Sequence, residues 1–381
     1  MKVAVVKETR PGEHRVALVP QGVKSLVKSG LEVVVEAGAG RASFIPDEEY
    51  VAAGATIAPS AAAALQGAGI VLRVSPPSLS GPDEVSALAS GTILVSFLNP
   101  FANLDVVRKL AAGGVTSLAM ELVPRITRAQ SMDALSSQAT AAGYKAVLLA
   151  ASHLPRFLPM FTTAAGTIRP AKALILGAGV AGLQAIATAR RLGAVVEAFD
   201  VRPAVKEQVE SLGAKFLEAE HLTAEGEGGY AKELSADQHQ KELELIASAI
   251  ASADVVIATA QIPGRKAPVL VTEAMVKTMR PGAVIVDLAA ETGGNCELTR
   301  AGETVQANGV HVLGPVNIAS TIPMHASQMY SKNVVTLLGE FVDGQGQVKL
   351  DFANDVVGPA TLTHGGGIAN EKVREAAGVA R

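Results

Sequence analysis

Three glycines and one aspartate form the strongest ligand-binding pattern in the chain. Gly177, Gly179 and Gly182 stand in a G-x-G-x-x-G arrangement between an apolar run and a helix-like run, and Asp200 closes the next apolar run. The first glycine permits a tight turn, the second lets the backbone approach a pyrophosphate, and the third lets helix and strand pack closely. The spacing therefore predicts a dinucleotide site, with Asp200 as the acceptor for ribose hydroxyls.

Asp200 also predicts which dinucleotide binds. Its charge would repel a 2′-phosphate, so the residue favours NAD(H) over NADP(H). Arg202 stands two positions later and carries a guanidinium that could bind a phosphate. We expect the carboxylate at the strand end to dominate.

The elements around this pattern alternate between short apolar runs and helix-like runs, which is typical of a parallel sheet with helices on both faces. In the second half of the chain the predicted strands are Ala173–Leu176, Val195–Phe199, Lys215–Leu217, Val255–Thr259, Ala283–Leu288 and Val310–Leu313. In the first third they are Val3–Val6, Glu32–Glu36, Gly69–Val74, Thr92–Phe97 and Val115–Ala119.

Helices are predicted between these strands and between the two halves. In the first third they lie near Gln21–Ser29, Ser60–Gln66, Pro82–Ala89 and Leu104–Ala112. A long helix from about Ala134 to Ala151 links the halves, and another runs through Met329 to Val342. The tail beyond Gly344 is rich in glycine and is expected to be irregular.

The fold class predicted from this order is α/β, with two Rossmann-like, doubly wound parallel-sheet domains. The helix after Asn317 is expected to return to the first domain, which makes that domain discontinuous. The predicted bounds are 1–135 with 318–381 for the first domain and 136–317 for the nucleotide-binding domain. The length of 381 residues agrees with two domains.

A second polar cluster precedes the linking helix. Arg125, Gln130 and Asp133 supply a guanidinium, an amide and a carboxylate at the expected mouth between the domains. They could contact the ribose and carboxamide of a nicotinamide. The residues alone also allow a simpler interpretation, in which Asp133 caps the helix and Arg125 is a surface residue.

A polar insert interrupts the nucleotide-binding half at 218–239. Its glycines cluster just before Tyr230, the single aromatic residue of the insert. So long a loop in a compact domain is either functional or a solvated insertion. A functional loop would be a lid that presses on bound ligand, and the residues alone leave both alternatives open.

Composition excludes several other classes of function. The net charge of −3 and the lack of a basic stretch argue against nucleic-acid binding. The longest uncharged stretch, Val51 to Leu72, is too polar to span a bilayer. The histidines are scattered without ligand spacing, so no metal site is expected. Cys296, the single cysteine, is interpreted as a small filler rather than a nucleophile.

Taken together, these motifs resemble the alanine dehydrogenase / pyridine nucleotide transhydrogenase superfamily nearly from end to end. The opening Lys7-Glu-Thr-Arg-Pro-Gly-Glu-His-Arg-Val-Ala-Leu-Val-Pro is similar to the superfamily's N-terminal signature. Gly177-Ala-Gly-Val-Ala-Gly and Arg280-Pro-Gly-Ala-Val-Ile-Val-Asp-Leu-Ala are similar to its nucleotide-domain signatures.

Two branches of the superfamily differ in the proton chemistry that they need. An alanine dehydrogenase needs an acid/base group near the nicotinamide, and that branch has a lysine and a histidine where this chain has Ser75 and Asn99. Its aspartate corresponds here to Glu291, whereas the substrate arginine is kept as Arg15. Because Ser75 and Asn99 do not titrate near neutral pH, neither replaces the missing pair. Direct hydride transfer between two nicotinamides needs no such pair.

The transhydrogenase branch also resembles this chain in its cofactor contacts. In Pro124-Arg-Ile-Thr-Arg-Ala-Gln-Ser-Met-Asp, the residues Arg125, Gln130 and Asp133 match family residues that contact the nicotinamide end of NAD(H). Gly228-Gly-Tyr-Ala-Lys-Glu matches a mobile loop of that family that closes over the nucleotide. The resemblance implies catalytic roles for Arg125, Gln130, Asp133 and Tyr230. It implies further cofactor contacts for Ser136, Gly177, Gly179, Val180, Gly182, Asp200, Val201, Arg202, Gly229 and Gln261. At the last of these the family more often has an apolar residue.

The resemblance implies the NAD(H)-binding alpha subunit of a proton-translocating transhydrogenase, which exchanges hydride with NADP(H) on a partner domain. The expected assembly is a homodimer that binds NADP(H)-binding and membrane-spanning subunits at the cytoplasmic face of the inner membrane. This chain itself is expected to contain no span. Two alternatives remain: an NAD-dependent alanine dehydrogenase, which Arg15 supports, and a non-catalytic NAD-sensing module.

Overall fold

The computed structural model describes residues 1–80, 83–218, 235–262 and 265–379. The chain divides into two compact units, Met1–Gln138 with Ser320–Arg381, and Ala139–Ala319. Within the described residues, the strands in chain order are β1 (Lys2–Val5), β2 (Glu32–Glu36), β3 (Thr56–Ala58), β4 (Ile70–Leu72), β5 (Ile93–Ser96), β6 (Thr116–Ala119), β7 (Phe161–Thr163), β8 (Gly166–Ile168), β9 (Lys172–Leu176), β10 (Val195–Phe199), β11 (Lys215–Phe216), β12 (Val255–Ala258), β13 (Val284–Asp287), β14 (Thr304–Ala307), β15 (Val310–Leu313), β16 (Thr361–His364) and β17 (Gly367–Ile368).

Helices connect most of these strands. In the same described ranges they are α1 (Pro20–Lys28), α2 (Asp47–Ala52), α3 (Ala61–Leu65), α4 (Leu104–Ala112), α5 (Ala134–His153), α6 (Val180–Arg191), α7 (Lys206–Ser211), α8 (Ala236–Ile250), α9 (Glu273–Thr278), α10 (Pro323–Leu338), α11 (Val357–Ala360) and α12 (Glu371–Ala376).

The first unit is built on an eight-stranded sheet in the order β17-β16-β6-β5-β4-β1-β2-β3. The strands from β3 to β6 are parallel, and their order reverses between β1 and β4, as in a doubly wound fold. Alternate residues of β1 enter cores on opposite faces: Val3 and Val5 pack with α1 and α10, and Ala4 packs with α3 and α4. Both faces are therefore buried, which explains the continuous apolar runs.

The second unit repeats this topology with a seven-stranded sheet in the order β11-β10-β9-β12-β13-β15-β14. All its strand pairs are parallel except β14 with β15. Helices α5 and α6 cover one face, and α8 and α9 cover the other. The predicted α/β class, with two Rossmann-like domains of which the first is discontinuous, is confirmed.

Several local predictions were wrong or incomplete. Residues 83–89 form turns rather than a helix, because Asp83 accepts hydrogen bonds from the backbone and hydroxyl of Ser86. The tail is not irregular: it adds β16 and β17 to the first sheet, and Leu362 is fully buried there. Strands β3, β7, β8 and β14 were missed, because three or four residues carry little periodic signal.

Candidate functional site

The glycine pattern forms a turn between β9 and α6 in the second unit. Gly177 has a φ of +94°, a conformation that residues with a side chain rarely adopt. A Cβ there would also lie 2.7 Å from Thr259 Oγ1, and that hydroxyl donates to the carbonyl oxygen of Gly177 at 3.1 Å. The turn is therefore fixed both by its backbone and by Thr259, which extends from the end of β12.

The other two glycines have different surroundings. A Cβ at Gly182 would overlap the carbonyl oxygen of Gly177, whereas a Cβ at Gly179 would meet no atom within 4 Å. Gly182 is thus required for close packing of α6 on the turn, and the space beside Gly179 is open. Gly179 precedes α6 and gives it no side-chain cap, so the helix N-terminus can receive an anion there.

Asp200 lies beside this turn with its carboxylate already hydrogen-bonded. Oδ2 accepts from the backbone N–H of Ala178 at 2.7 Å and from Arg202 Nη2 at 2.7 Å. Oδ1 accepts from the backbone N–H of Arg202 at 2.9 Å and from its Nε at 2.8 Å. The structure thus brings Asp200 and Arg202 together at the glycine turn. Ribose hydroxyls can reach this acceptor only if the side chain of Arg202 moves aside.

Three further predicted contacts lie in the same unit. Val180 is the first residue of α6, and Val201 packs partly buried against the core beside α8 and α9. Gln261 Nε2 donates to the carbonyl oxygen of Leu288 at 2.8 Å. These placements fit a segment that surrounds the turn, and direct contact with the cofactor stays a prediction for each residue.

Sequence reasoning missed Asn295, which fixes the backbone next to Gln261. Its amide group accepts from the N–H of Ala260 at 3.0 Å and donates to the carbonyl oxygen of Ala260 at 2.8 Å. Asn295 is fully buried, and its own N–H donates to Asp287 Oδ2 at 2.6 Å. The signal in the sequence is Asp287, a carboxylate that ends an otherwise apolar strand.

The segment that carries Arg125, Gln130 and Asp133 lies in the first unit. A 3-10 turn spans Thr127–Met132, and the side chains of Arg125 and Gln130 are exposed. Asp133 accepts from the backbone N–H of Ser136 at 2.9 Å and from its hydroxyl at 2.6 Å. Asp133 and the predicted contact Ser136 therefore meet as a helix cap at the start of α5. Their contact with a nicotinamide stays a prediction.

The substrate arginine of the dehydrogenase branch is already paired in this chain. Arg15 is 8% exposed, and its Nε and Nη2 donate to the carboxylate of Glu13 at 2.7 and 2.6 Å. Its Nη1 donates to Gln138 Oε1 at 2.9 Å. Ser75 Oγ also donates to Glu13, at 3.1 Å. Glu13 thus occupies the guanidinium that a substrate carboxylate would need.

The position of the missing histidine is also occupied by a structural hydrogen bond. Asn99 has a φ of +41°, and its backbone N–H donates to Glu121 Oε1, as does that of Leu98 at 2.8 Å. Burial raises the pKa of Glu121, and its Oε2 has no hydrogen-bond partner. The Asn99 position is therefore part of a buried turn. Glu291, the counterpart of the branch aspartate, accepts from Asn317 N at 3.3 Å in the second unit.

The remaining predictions concern the loop, metals, the cysteine and membrane spans. Tyr230 and Gly229 lie outside the described residues. In the described ranges, no group of three or more His, Cys, Asp or Glu side chains could hold a metal ion. Burial raises the pKa of the Cys296 thiol to about 11, so the thiol is protonated at neutral pH. No helix in the same part of the chain is long and apolar enough to cross a membrane.

Comparison with known proteins covers both units. A model of the N-terminal domain of alanine dehydrogenase/PNT matches residues 4–142, and a model of its C-terminal domain matches residues 146–371. The chain belongs to the alanine dehydrogenase/PNT family. This is a family of oxidoreductases that bind a nicotinamide dinucleotide.

Individual relatives distinguish the two branches of this family. An NAD(P) transhydrogenase subunit alpha polypeptide of Rhodospirillum rubrum is 48% identical over 376 residues, which are 97% of this chain and 98% of the relative. A crystal structure of transhydrogenase from Sinorhizobium meliloti is also 48% identical, has a TM-score of 0.88, and matches 97% of this chain and 100% of that one. Alanine dehydrogenase of Mycobacterium tuberculosis is 30% identical over 386 residues, covering 100% and 97% of the two chains. The transhydrogenase branch is therefore favoured.

Proposed function

We propose that this chain is the NAD(H)-binding component of a proton-translocating NAD(P) transhydrogenase. It would transfer hydride directly between NAD(H) and NADP(H) held on a partner domain. The observation that supports this most strongly is the replacement of the dehydrogenase proton-transfer pair by Ser75 and Asn99, with Arg15 held by Glu13. Direct transfer between two nicotinamide rings needs no proton carrier.

We propose NAD(H) as the bound dinucleotide, with residues 136–317 as the domain that binds it. Gly179 and the N-terminus of α6 receive the pyrophosphate, and Asp200 accepts the ribose hydroxyls once Arg202 moves aside. The cofactor supplies the hydride chemistry when it is bound. The chain supplies binding and orientation, and it excludes water from the reacting rings.

Gln130 has the central orienting role in this proposal. We propose that its amide and the Arg125 guanidinium contact the nicotinamide end, together with Asp133, Ser136 and Tyr230. These residues carry the roles that the resemblance implies, and 1–135 with 318–381 is the domain that presents most of them. None of them has to exchange a proton with substrate.

The names of the relatives support further aspects of the proposal. "Subunit alpha" implies partner subunits, and we propose that these bind NADP(H) and span the membrane. The chain would then be a homodimer at the cytoplasmic face of the inner membrane, attached through those partners. The reaction class would be the Re/Si-specific, proton-translocating one.

Mixing experiments with the purified chain test the proposal directly. The chain, NADH and an NADP⁺-loaded NADP(H)-binding transhydrogenase component are expected to give NADPH at the expense of NADH. Brisk formation of pyruvate and NADH from alanine and NAD⁺ would instead identify an alanine dehydrogenase. NADH binding without hydride exchange in the mixture would favour the NAD-sensing alternative.

A further inference from the structure

The 3-10 turn Thr127–Met132 is fixed to the first unit at two buried positions. Ala129 is fully buried and Met132 is 3% exposed, and both pack in the core beside α10. Gln130 lies between them with an exposed side chain. The direction of that side chain therefore depends on how the backbone of the turn is held between these anchors.

Arg128 holds the outer side of this turn. Its Nη1 donates to both carboxylate oxygens of Glu340, at 3.0 and 2.9 Å, and its Nε donates to Asp355 Oδ1 at 2.9 Å. Its Nη2 donates to Asn354 Oδ1 at 3.2 Å and also contacts Asp355. Asn354 Nδ2 in turn donates to Glu340 Oε2 at 3.1 Å. A planar guanidinium bound by three residues is held in one orientation, which a flexible ammonium would not be.

Asn333 holds the same turn from α10. Its Nδ2 donates to the carbonyl oxygen of Ser131 at 2.9 Å, and its Oδ1 accepts from Ser137 Oγ at 2.7 Å. Asn333 is 6% exposed, so water competes little for these bonds. One amide group thus joins the residue after Gln130 to the first turns of α5.

We propose that Arg128 and Asn333 are positioning residues for hydride transfer. They hold the backbone of the turn so that Gln130 presents its amide in one orientation, and the inference rests on the function proposed above. Hydride transfer depends steeply on geometry, and a displacement of about 1 Å can lower a rate by about 10²-fold. Exposed ion pairs contribute little to stability, so the Arg128 network chiefly affects orientation rather than folding.

The test compares Arg128→Ala with a matched arginine elsewhere in the same unit. The side chain of Arg128 is 43% exposed and that of Arg108 is 45% exposed. Arg108 binds Asp105 and the carbonyl oxygen of Ala377, and neither of these partners belongs to the turn. Arg108→Ala is therefore the control for loss of an exposed, paired guanidinium.

Three quantities are measured for each variant: the NADH dissociation constant, the melting temperature, and the single-turnover rate of hydride transfer to NADP⁺ on an NADP(H)-binding transhydrogenase component. Arg128→Ala is expected to lower the rate by about 10- to 100-fold. Its NADH affinity should stay within about threefold, because Arg128 orients and does not bind. Arg128→Lys should recover only a fraction of the rate, and Arg108→Ala should keep all of it.

Asn333→Asp gives an independent second variant. The aspartate keeps an acceptor for Ser137 but loses the donor to the carbonyl oxygen of Ser131, so the rate should again fall more than the affinity. Wild-type rates in both Arg128→Ala and Asn333→Asp would overturn the inference. So would losses of rate and affinity in equal proportion. A wild-type chain that transfers no hydride would instead refute the proposed function itself.

Discussion

Asp200 and Arg202 allow the sharpest test of nucleotide choice, through a double-mutant cycle of Asp200→Ala, Arg202→Ala and the double variant. In the structure the two side chains are joined by bonds of 2.8 and 2.7 Å. Arg202 is therefore a competitor for the acceptor that the NADH ribose needs. It is also a cation that Asp200 withholds from any 2′-phosphate. Removing Asp200 should change both properties at once.

The expected size follows from the bonds that are exchanged. A hydrogen bond to a charged group contributes about 1.5–3 kcal/mol. NADH replaces the side-chain bonds of Arg202 with ribose bonds, so the net loss in Asp200→Ala is near one such bond, or about 10- to 100-fold in NADH affinity. NADPH loses a repulsion and gains a freed guanidinium, which should improve its affinity about tenfold or more. The preference for NADH should fall by about 10²- to 10³-fold.

The assay is equilibrium titration of all four proteins with NADH and NADPH at one ionic strength, with melting temperatures to confirm that each variant folds. Arg202→Ala should bind NADH slightly more tightly, because the competitor is gone. The double variant should lose most of the NADPH gain seen in Asp200→Ala. An unchanged NADH preference in Asp200→Ala would refute the ribose assignment. An equal NADPH gain with and without Arg202 would refute its role as a latent phosphate ligand.

Three other substitutions test the geometry of the two units. Gln130→Asn should slow hydride transfer about 10- to 100-fold while NADH affinity changes less than about threefold, because the shortened amide no longer reaches the same point; equal losses would argue against an orienting role. Gly179→Ala should fold normally and bind NADH poorly, whereas Gly182→Ala should lower the melting temperature, because its Cβ overlaps the Gly177 carbonyl oxygen; calorimetry and NADH titration separate the two effects. Burial raises the pKa of Glu121, so the folded state binds more protons than the unfolded state above the ordinary carboxyl pKa, and stability falls as pH rises from there towards the folded pKa. Glu121→Gln should flatten that fall in a plot of melting temperature against pH, and parallel curves would contradict the assignment.

The elements of the fold predicted from the sequence are those with strong periodicity or a defined backbone requirement. Gly177 was interpreted as a tight turn, and its φ of +94° agrees. The buried parallel strands were found because both faces of each sheet are covered. Residues 83–89 were wrongly predicted as a helix, because a side-chain hydrogen bond to Asp83 outweighed an apolar pattern.

The candidate site was predictable in its residues and less so in its hydrogen bonds. Asp200 and Arg202 could be named from the sequence, but their mutual pairing could not, because spacing alone does not say where a flexible arginine points. Arg128 and Asn333 were missed because their partners lie more than 190 positions away in the sequence. Long-range partners leave no local periodic pattern.

The composition of the first unit has a consequence for synthesis of the protein. Its core includes Tyr330, Val334 and Leu337 of α10, all fully buried, and the tyrosine hydroxyl donates to the carbonyl oxygen of Arg73 at 2.8 Å. On the ribosome, residues 1–138 emerge first but lack this helix and the strand that pairs with β6. The second unit is continuous and has all its strands before α10 is translated. The half made first must therefore wait, with an open apolar face, while the half made later completes its core.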